Sequence, residues 1–205
     1  YQTMTTEDIH YQSPLQKAEA YVVFVELLGK HAHRDAQDLQ DACAHGFEQD
    51  WIADACFFDT AAAQEECWKI REDVAALELH APHNQHFDIS IPIGDIGQIM
   101  NDILSKLQHV EGVLGAYPFG HVADGNMHLI VGKENNSQQL NKQINEIVYQ
   151  PLAAVKGSIS AEHGIGMDKK PYLQLSRSQD EIKFMKGLKQ LFDPKNILNP
   201  GRIVD

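Results

Sequence analysis

Two histidines, His121 and His128, flank an Asp-Gly pair in the segment GHVADGNMHL at residues 120–129. Asp-Gly between apolar runs is typical of a two-residue hairpin turn, because both residues tolerate a positive φ. With Asp124 and Gly125 as the turn, His121 should face His128 across the hairpin, with Cβ atoms about 5 Å apart. Two imidazoles in that arrangement can hold a metal ion. The alternative is a chance pair of surface histidines.

A carboxylate and an imidazole, Glu162 and His163, stand side by side in the glycine-rich stretch SAEHGIG at residues 160–166. If this loop meets the hairpin, Glu162 can supply a third ligand. Two histidines and one carboxylate with an open position form the ligand set of catalytic rather than structural metal sites. His163 is then free as an acid, a base or a hydrogen-bond donor to substrate. The alternative is that both residues only cap the turn.

Composition limits the classes of protein to which these residues can belong. The chain has 205 residues, of which 43% are hydrophobic, enough for one sizeable core or two small ones. The net charge of −12 disfavours nucleic-acid binding, and no apolar run approaches the roughly 20 residues that span a bilayer. The three cysteines indicate reduced, buried thiols in a cytoplasmic protein.

Hydrophobic periodicity predicts the elements that must position these side chains. Strands are predicted over residues 20–29, 54–59, 86–92, 113–121, 126–132 and 157–160. Helices are predicted over residues 35–50, 60–79, 93–110, 137–155 and 178–193, with Thr60 and Ser178 as N-caps. Because one strand pair is a tight hairpin, the sheet cannot be purely parallel. We expect an α+β fold of the ferredoxin-like type, an antiparallel sheet with helices packed on one face.

Four motifs in a fixed order now point to a family: FDISIP, GHVADGNMHL, SAEHGIG and DPKNILNPGR. With them the chain resembles the C-terminal domain of FAD-linked oxidases of the vanillyl-alcohol-oxidase type. This family includes D-lactate dehydrogenases, D-2-hydroxyglutarate dehydrogenases and the FAD-linked subunit of glycolate oxidase. The resemblance covers residues 20–205. It implies that FAD is bound mainly by an N-terminal domain of the same polypeptide that this chain lacks, with residues 1–19 as the connecting segment.

The resemblance also implies a reaction, the oxidation of a D-2-hydroxy acid to a 2-oxo acid with hydride transfer to FAD. By the same resemblance, His121, His128 and Glu162 hold a divalent ion, with zinc favoured, which lowers the pKa of the substrate hydroxyl. His163 becomes the base that removes the hydroxyl proton. Arg71 matches a family arginine that grips the substrate carboxylate, a task suited to its planar fork. The alternative for Arg71 is an ordinary arginine on a helix surface.

Four positions depart from the family pattern. Ala123 replaces a glycine in the hairpin, and His86 replaces a lysine that many relatives carry. Ala75 and Ile130 stand where relatives specific for 2-hydroxyglutarate often have threonine and asparagine. Among these, His86 and Ile130 are expected to face the substrate. A buried Ile130 would disfavour a second carboxylate, so we expect a smaller, lactate-like 2-hydroxy acid.

Two readings from other classes stay open from the sequence. One is a non-catalytic metal-binding interaction module, and the other is a stand-alone metallohydrolase in which His163 is the base. The expected partners of the flavoenzyme are a small 2-hydroxy acid, the N-terminal FAD-binding domain and an electron-transfer partner, for which an iron–sulfur domain is one form. We expect a cytoplasmic location, with peripheral attachment at the inner membrane face as its variant.

Overall fold

The computed structural model describes residues 1–5, 9, 11–16 and 21–204, and the chain divides into two compact units, Tyr1–His80 and Ala81–Asp205. Residues 6–8, 10, 17–20 and 205 lie outside the described residues. They include part of the connecting segment expected over residues 1–19 and the first residue of the strand expected over 20–29. None of the helices in the described ranges is long and apolar enough to cross a membrane.

The first unit contains three helices, α1 (Ala32–Glu48), α2 (Ala61–Glu72) and α3 (Val74–His80). The predicted cap of α2 is confirmed, because Thr60 Oγ1 accepts a hydrogen bond from Ala63 N at 3.3 Å. The single helix predicted over residues 60–79 is divided at Asp73. The Asp73 carboxylate accepts a hydrogen bond from Ala76 N at 3.0 Å, so it caps a new helix instead of continuing the old one.

The two strands predicted in this unit are absent. Residues 21–29 and 54–59 are all described, and none of them is in a strand. Large apolar side chains along the first of these segments are exposed, including Tyr21, Val23 and Val25. A continuous apolar, β-branched run bounded by Gly29 favours a buried strand at 20–29, but a strand also needs a neighbouring strand to pair its backbone groups. The sequence prediction was therefore wrong at both segments.

The expectation of buried thiols is also wrong. Cys43, Cys56 and Cys67 are free, with Cys56 exposed and the other two half-buried. Two causes raise the pKa of the Cys67 thiol: partial burial, which is the larger, and the neighbouring Cys56. Cysteine type alone predicts burial in a packed core, but the described part of this unit buries only Met4, Ile70 and Leu77 among its hydrophobic side chains.

The second unit is built on an antiparallel sheet, which confirms the predicted α+β class. Its strands β1 (Gln85–Ser90), β2 (Val113–His121) and β3 (Asn126–Lys133) lie in the order β1-β3-β2. Its α-helices are α4 (Ile96–Leu107), α5 (Gln138–Tyr149) and α6 (Gln179–Phe192). The cap predicted at Ser178 is a full capping box with Glu181. The strand predicted over 157–160 is reduced to one bridge, Ser90 with Ser158.

One face of the sheet carries the core. Phe87 and Ile89 of β1 and Leu129 of β3 are buried there with the apolar faces of α4 and α5. The helix residues in this cluster recur every three or four positions, as expected for helices that bury one side. They are Ile96, Met100, Ile103, Leu107, Leu140, Ile144 and Val148. The opposite face of β1 and β3 carries the polar side chains of the candidate site.

The hairpin register differs from the prediction. His128 lies opposite Phe119, and His121 lies opposite Asn126, so the two histidines share a face but are diagonal neighbours rather than direct partners. The loop is longer than Asp-Gly and covers residues 122–125, because His121 pairs with Asn126. In a two-residue turn Asn126 N would donate to the carbonyl of Ala123, but here it donates to Asp124 Oδ1 at 2.9 Å.

Candidate active site

The candidate site lies on the polar face of the sheet, where β1 and β3 pair. Asp88 of β1 is directly opposite His128 of β3, and His86 is opposite Ile130. Side chains directly opposed across strands have Cβ atoms roughly 5 Å apart, so the four residues form one patch. Within it Asp88 and Ile130 are each 1% exposed, His128 is half-buried and His86 is exposed.

The Asp88 carboxylate binds the backbone of the loop that carries Glu162 and His163. Asp88 Oδ2 accepts hydrogen bonds from the backbone nitrogens of Ala161, Glu162 and His163 at 3.1, 3.0 and 2.8 Å. Three consecutive N–H groups that converge on one anion form a nest, which compensates for the burial of the charge. A loop far along the chain is thereby attached to β1, an edge strand of the sheet.

Two side chains complete the environment of this carboxylate. Ser160 Oγ donates to Asp88 Oδ2 at 3.1 Å, and Lys169 Nζ lies 3.4 Å from the same oxygen with 12% of its side chain exposed. Lys169 Nζ also donates to Ser160 Oγ at 3.0 Å. Burial alone would raise the pKa of Asp88, but the loop amides, Lys169 and Ser160 together lower it to about 2. Asp88 is therefore an anion at neutral pH.

Two imidazoles, one of them on this loop, stack against each other near Asp88. The rings of His128 and His163 stack with centroids 5.8 Å apart, and His163 Nδ1 is 4.0 Å from Asp88 Oδ2. Burial is the largest influence on the pKa of His128 and lowers it, against the opposing charges of Asp88 and Glu162. His128 is thus held neutral, with a lone pair available for a metal ion or a hydrogen bond.

The predicted ligands His121 and Glu162 are close enough to His128 for their charges to influence its pKa. The cluster of possible metal ligands found in the described part of the chain is a different one, however. It consists of Asp88, His128 and His163, whose ligand atoms lie within 4.8 Å of one another. Asp88 is a poor ligand because its oxygens already accept hydrogen bonds from the loop. The chemistry of the donors therefore still favours His121, His128 and Glu162 for a divalent ion, and this assignment stays a prediction.

Comparison with known proteins identifies the family of the chain. A family model described as FAD linked oxidases, C-terminal domain, matches residues 2–203. The chain belongs to this family. It is 35% identical, over 78% of its length, to the D-2-hydroxyglutarate dehydrogenase of Stutzerimonas stutzeri, and 31% identical, over 95%, to that of Xanthomonas citri pv. viticola.

A third relative extends the range of substrates named in the family. A Schizosaccharomyces pombe protein with the provisional name of a mitochondrial D-lactate dehydrogenase is 29% identical over 99% of this chain. The chain spans 35%, 42% and 40% of the length of these three relatives. The family match begins at residue 2 and so includes most of residues 1–19. The connecting role of that segment stays a prediction.

The residues expected to face the substrate of this FAD-linked oxidase domain lie in both units. In the second unit, His86 shares a hydrogen bond of 3.0 Å with Asn84, and Ile130 is buried. In the first unit, Arg71 lies in the last turn of α2 and is exposed, with its guanidinium 6.0 Å from the centre of the Trp68 ring. The role of all three toward substrate is untested.

Sequence reasoning missed Asp88, Lys169 and Asn126. A single acid inside the buried strand FDISIP was the available signal for Asp88, because an acid in an apolar strand needs donors around it. No comparable signal marks Lys169 in the sequence. Asn126 is 6% exposed, and its Oδ1 is the one buried side-chain oxygen or nitrogen among the described residues that has no hydrogen-bond partner. Such an acceptor on the polar face fits a donor from a bound ligand or water.

Proposed function

We propose that the polypeptide containing this chain oxidises a D-2-hydroxy acid to the 2-oxo acid, with FAD bound mainly by an N-terminal domain. The observation that carries the proposal is His163, an exposed imidazole on a loop whose backbone is bound by a buried carboxylate, within a FAD-linked oxidase C-terminal domain. The relatives named as D-2-hydroxyglutarate and D-lactate dehydrogenases act on this class of substrate by their names.

In this mechanism the substrate loses a proton from its hydroxyl group and a hydride from C2, which leaves a carbonyl. When bound, FAD supplies the acceptor for the hydride. His163 accepts the proton, a role that needs a neutral imidazole within hydrogen-bond reach of the hydroxyl. Its side chain is 59% exposed, so a substrate can reach it, while its backbone N–H is held by Asp88.

We further propose that His121, His128 and Glu162 hold a divalent ion, with zinc favoured. Such an ion would supply a Lewis acid that orients the hydroxyl and the carboxylate of the substrate. Neutral His128 supports this assignment because a protonated imidazole has no lone pair to donate. The side chains of His121 and Glu162 are exposed, so they have room to change rotamer and approach an ion beside His128. Arg71 would bind the substrate carboxylate.

For the substrate, we propose a lactate-like acid rather than 2-hydroxyglutarate. Ile130 supports this choice because it is 1% exposed beside His128 and offers no hydrogen bond to a second carboxylate. A carboxylate buried against such a surface without a partner costs several kcal/mol, roughly 2–7 for an uncompensated polar group. Ala75, in place of threonine, removes another hydroxyl in the first unit.

The substrate proposal is tested with the full-length FAD-loaded polypeptide. Flavin bleaching is followed without oxygen after addition of D-lactate or D-2-hydroxyglutarate. We expect faster bleaching by D-lactate, and we expect Ile130→Asn to raise the relative rate with D-2-hydroxyglutarate while the matched apolar change Ile130→Val does not. A preference of the unaltered protein for D-2-hydroxyglutarate would contradict the lactate-like proposal.

The metal proposal is tested by elemental analysis after zinc loading and desalting. We expect about one ion per chain in the unaltered protein and none in His121→Ala, with His109→Ala, on the exposed surface after α4, as the matched control. Absence of retained metal in a protein that still reduces its flavin would end the metal assignment and the metallohydrolase alternative. Retained metal without flavin reduction by any 2-hydroxy acid would favour the interaction module. The electron-transfer partner and the cytoplasmic location stay predictions.

A further inference from the structure

The loop 160–163 is the part of the site most densely bound to the rest of its unit. Its backbone nitrogens at Ala161, Glu162 and His163 converge on Asp88, and Ser160 adds a hydroxyl. No regular secondary structure is assigned at these four positions, so the position of the loop depends on these bonds. One side chain on β1 therefore decides where the loop lies.

We infer that Asp88 is the positioning residue for His163 and is not itself a metal ligand. An ionised carboxylate offers about four lone-pair positions to donors. Asp88 Oδ2 already accepts from three amides and the Ser160 hydroxyl, with Lys169 Nζ at 3.4 Å, and Oδ1 accepts from Glu162 N at 3.1 Å. A metal ion that bound Asp88 Oδ2 would have to displace these donors and release the loop.

The contact with the imidazole is indirect. His163 Nδ1 is 4.0 Å from Asp88 Oδ2, beyond hydrogen-bond length, whereas His163 N is at 2.8 Å. Asp88 thus fixes the Cα position from which the imidazole projects, and the stacked ring of His128 limits its direction. A displacement of about 1 Å in a reacting group can reduce a rate on the order of a hundredfold.

Lys169 and Ser160 belong to the same hydrogen-bond network as Asp88. Lys169 Nζ reaches both Asp88 Oδ2 and Ser160 Oγ, and Gly164 O, 3.0 Å from Ser160 Oγ, is a second acceptor for the same hydroxyl hydrogen that Asp88 accepts. A buried anion without a cation nearby would be costly, so Lys169 makes the burial of Asp88 tolerable. Lys169 lies on the segment that follows the loop, and the cluster therefore holds both ends of SAEHGIG.

The first experiment measures amide hydrogen exchange in the full-length polypeptide by mass spectrometry. Asp88→Asn is isosteric, but its amide places N–H groups against the donors of the loop. We expect exchange of the peptide covering residues 161–163 to rise at least about tenfold, with α4 and α5 unchanged, because removing the anion leaves the amides unpaired. Asp102→Asn, on the exposed side of α4, is the matched control.

The second experiment measures anaerobic flavin reduction in the same variants, and this part rests on the proposed function. Each flavin-loaded molecule reports its own rate constant, so an unfolded fraction lowers the amplitude and leaves the rate unchanged. We expect a fall on the order of a hundredfold in the rate constant for Asp88→Asn and none for Asp102→Asn. Unchanged exchange and an unchanged rate constant in Asp88→Asn would overturn the inference.

A milder variant keeps the test decisive if Asp88→Asn does not fold. Ser160→Ala removes one donor and leaves the loop backbone intact, so we expect exchange at 161–163 to rise severalfold. Unchanged exchange there would overturn the inference as well. If the unaltered protein reduces its flavin with no 2-hydroxy acid, the proposed function fails, while the exchange result still decides whether Asp88 anchors the loop.

Discussion

The two sides of the candidate site are held in opposite ways. On the loop side, Asp88 is 1% exposed and its carboxylate binds three backbone amides. On the hairpin side, His121 and the next three residues are exposed, and the turn hydrogen bonds are long, 3.4 Å from Asp124 N and 3.3 Å from Gly125 N. The imidazole proposed as base, His163, therefore lies on the strongly bonded side, and the proposed metal ligand His121 lies on the accessible side.

The largest effect expected from this comparison is on catalysis. His163→Asn should lower the rate constant of anaerobic flavin reduction by about 10²–10⁴-fold, the usual contribution of a general base. His109→Asn, on the exposed surface after α4, should leave it unchanged. A smaller loss for His163→Asn than for His121→Ala would reverse the assignment of roles to the two sides.

A matched glycine pair tests the backbone on each side. Gly125 and Gly164 have φ of 78° and 77°, but an added Cβ would lie 2.3 Å from Ile91 O at Gly125 and meets nothing within 4 Å at Gly164. Gly164→Ala should cost about 1–2 kcal/mol from positive φ alone, and Gly125→Ala on the order of 3 kcal/mol with the clash. Urea unfolding measures the loss in free energy of unfolding for both variants. Equal losses would mean that a local shift relieves the contact between the added Cβ at position 125 and Ile91 O.

Acid should weaken the loop side selectively. The pKa of Asp88 in the folded protein is about 2, below its ordinary value of 3.8. A depressed pKa gives stability that is complete above the ordinary pKa and is lost as the pH falls through the folded one. The difference in free energy of unfolding between the unaltered protein and Asp88→Asn should therefore shrink from pH 4 to pH 2. A difference that stays constant over this range would show that the charge of Asp88 contributes nothing.

The smallest effect concerns the two hairpin histidines in metal-free buffer. His121 is exposed, so His121→Ala should change the free energy of unfolding by no more than about 0.5 kcal/mol. His128 is half-buried with ring centroids of Phe119 and His163 at 5.4 and 5.8 Å, so His128→Ala should cost about 1–2 kcal/mol. Thermal unfolding with a chelator present compares them, and equal costs would remove the contrast between exposed and packed imidazoles.

Local patterns predicted most of the second unit. The apolar period of residues 93–110 predicted α4, whose buried residues recur along one side, and Ser178 was identified as a cap from its type and position. The same reasoning failed over residues 21–29, a continuous apolar run in which most of the large side chains are exposed and no strand forms. A helix satisfies its own backbone groups, whereas a strand depends on a partner elsewhere in the chain.

Motifs, periodicity and caps are local properties, and for that reason the family, the α+β class and the residue types available for chemistry could be inferred without a structure. The hairpin register and the partner of the loop follow from the packing of the whole unit. Asn126 N donates to Asp124 Oδ1, and His128 lies opposite Phe119 of β2 and Asp88 of β1 instead of His121. The bonds from Asp88 to residues 161–163 join positions more than seventy residues apart. Such a contact depends on how the sheet and the loop pack together, and no local pattern encodes it.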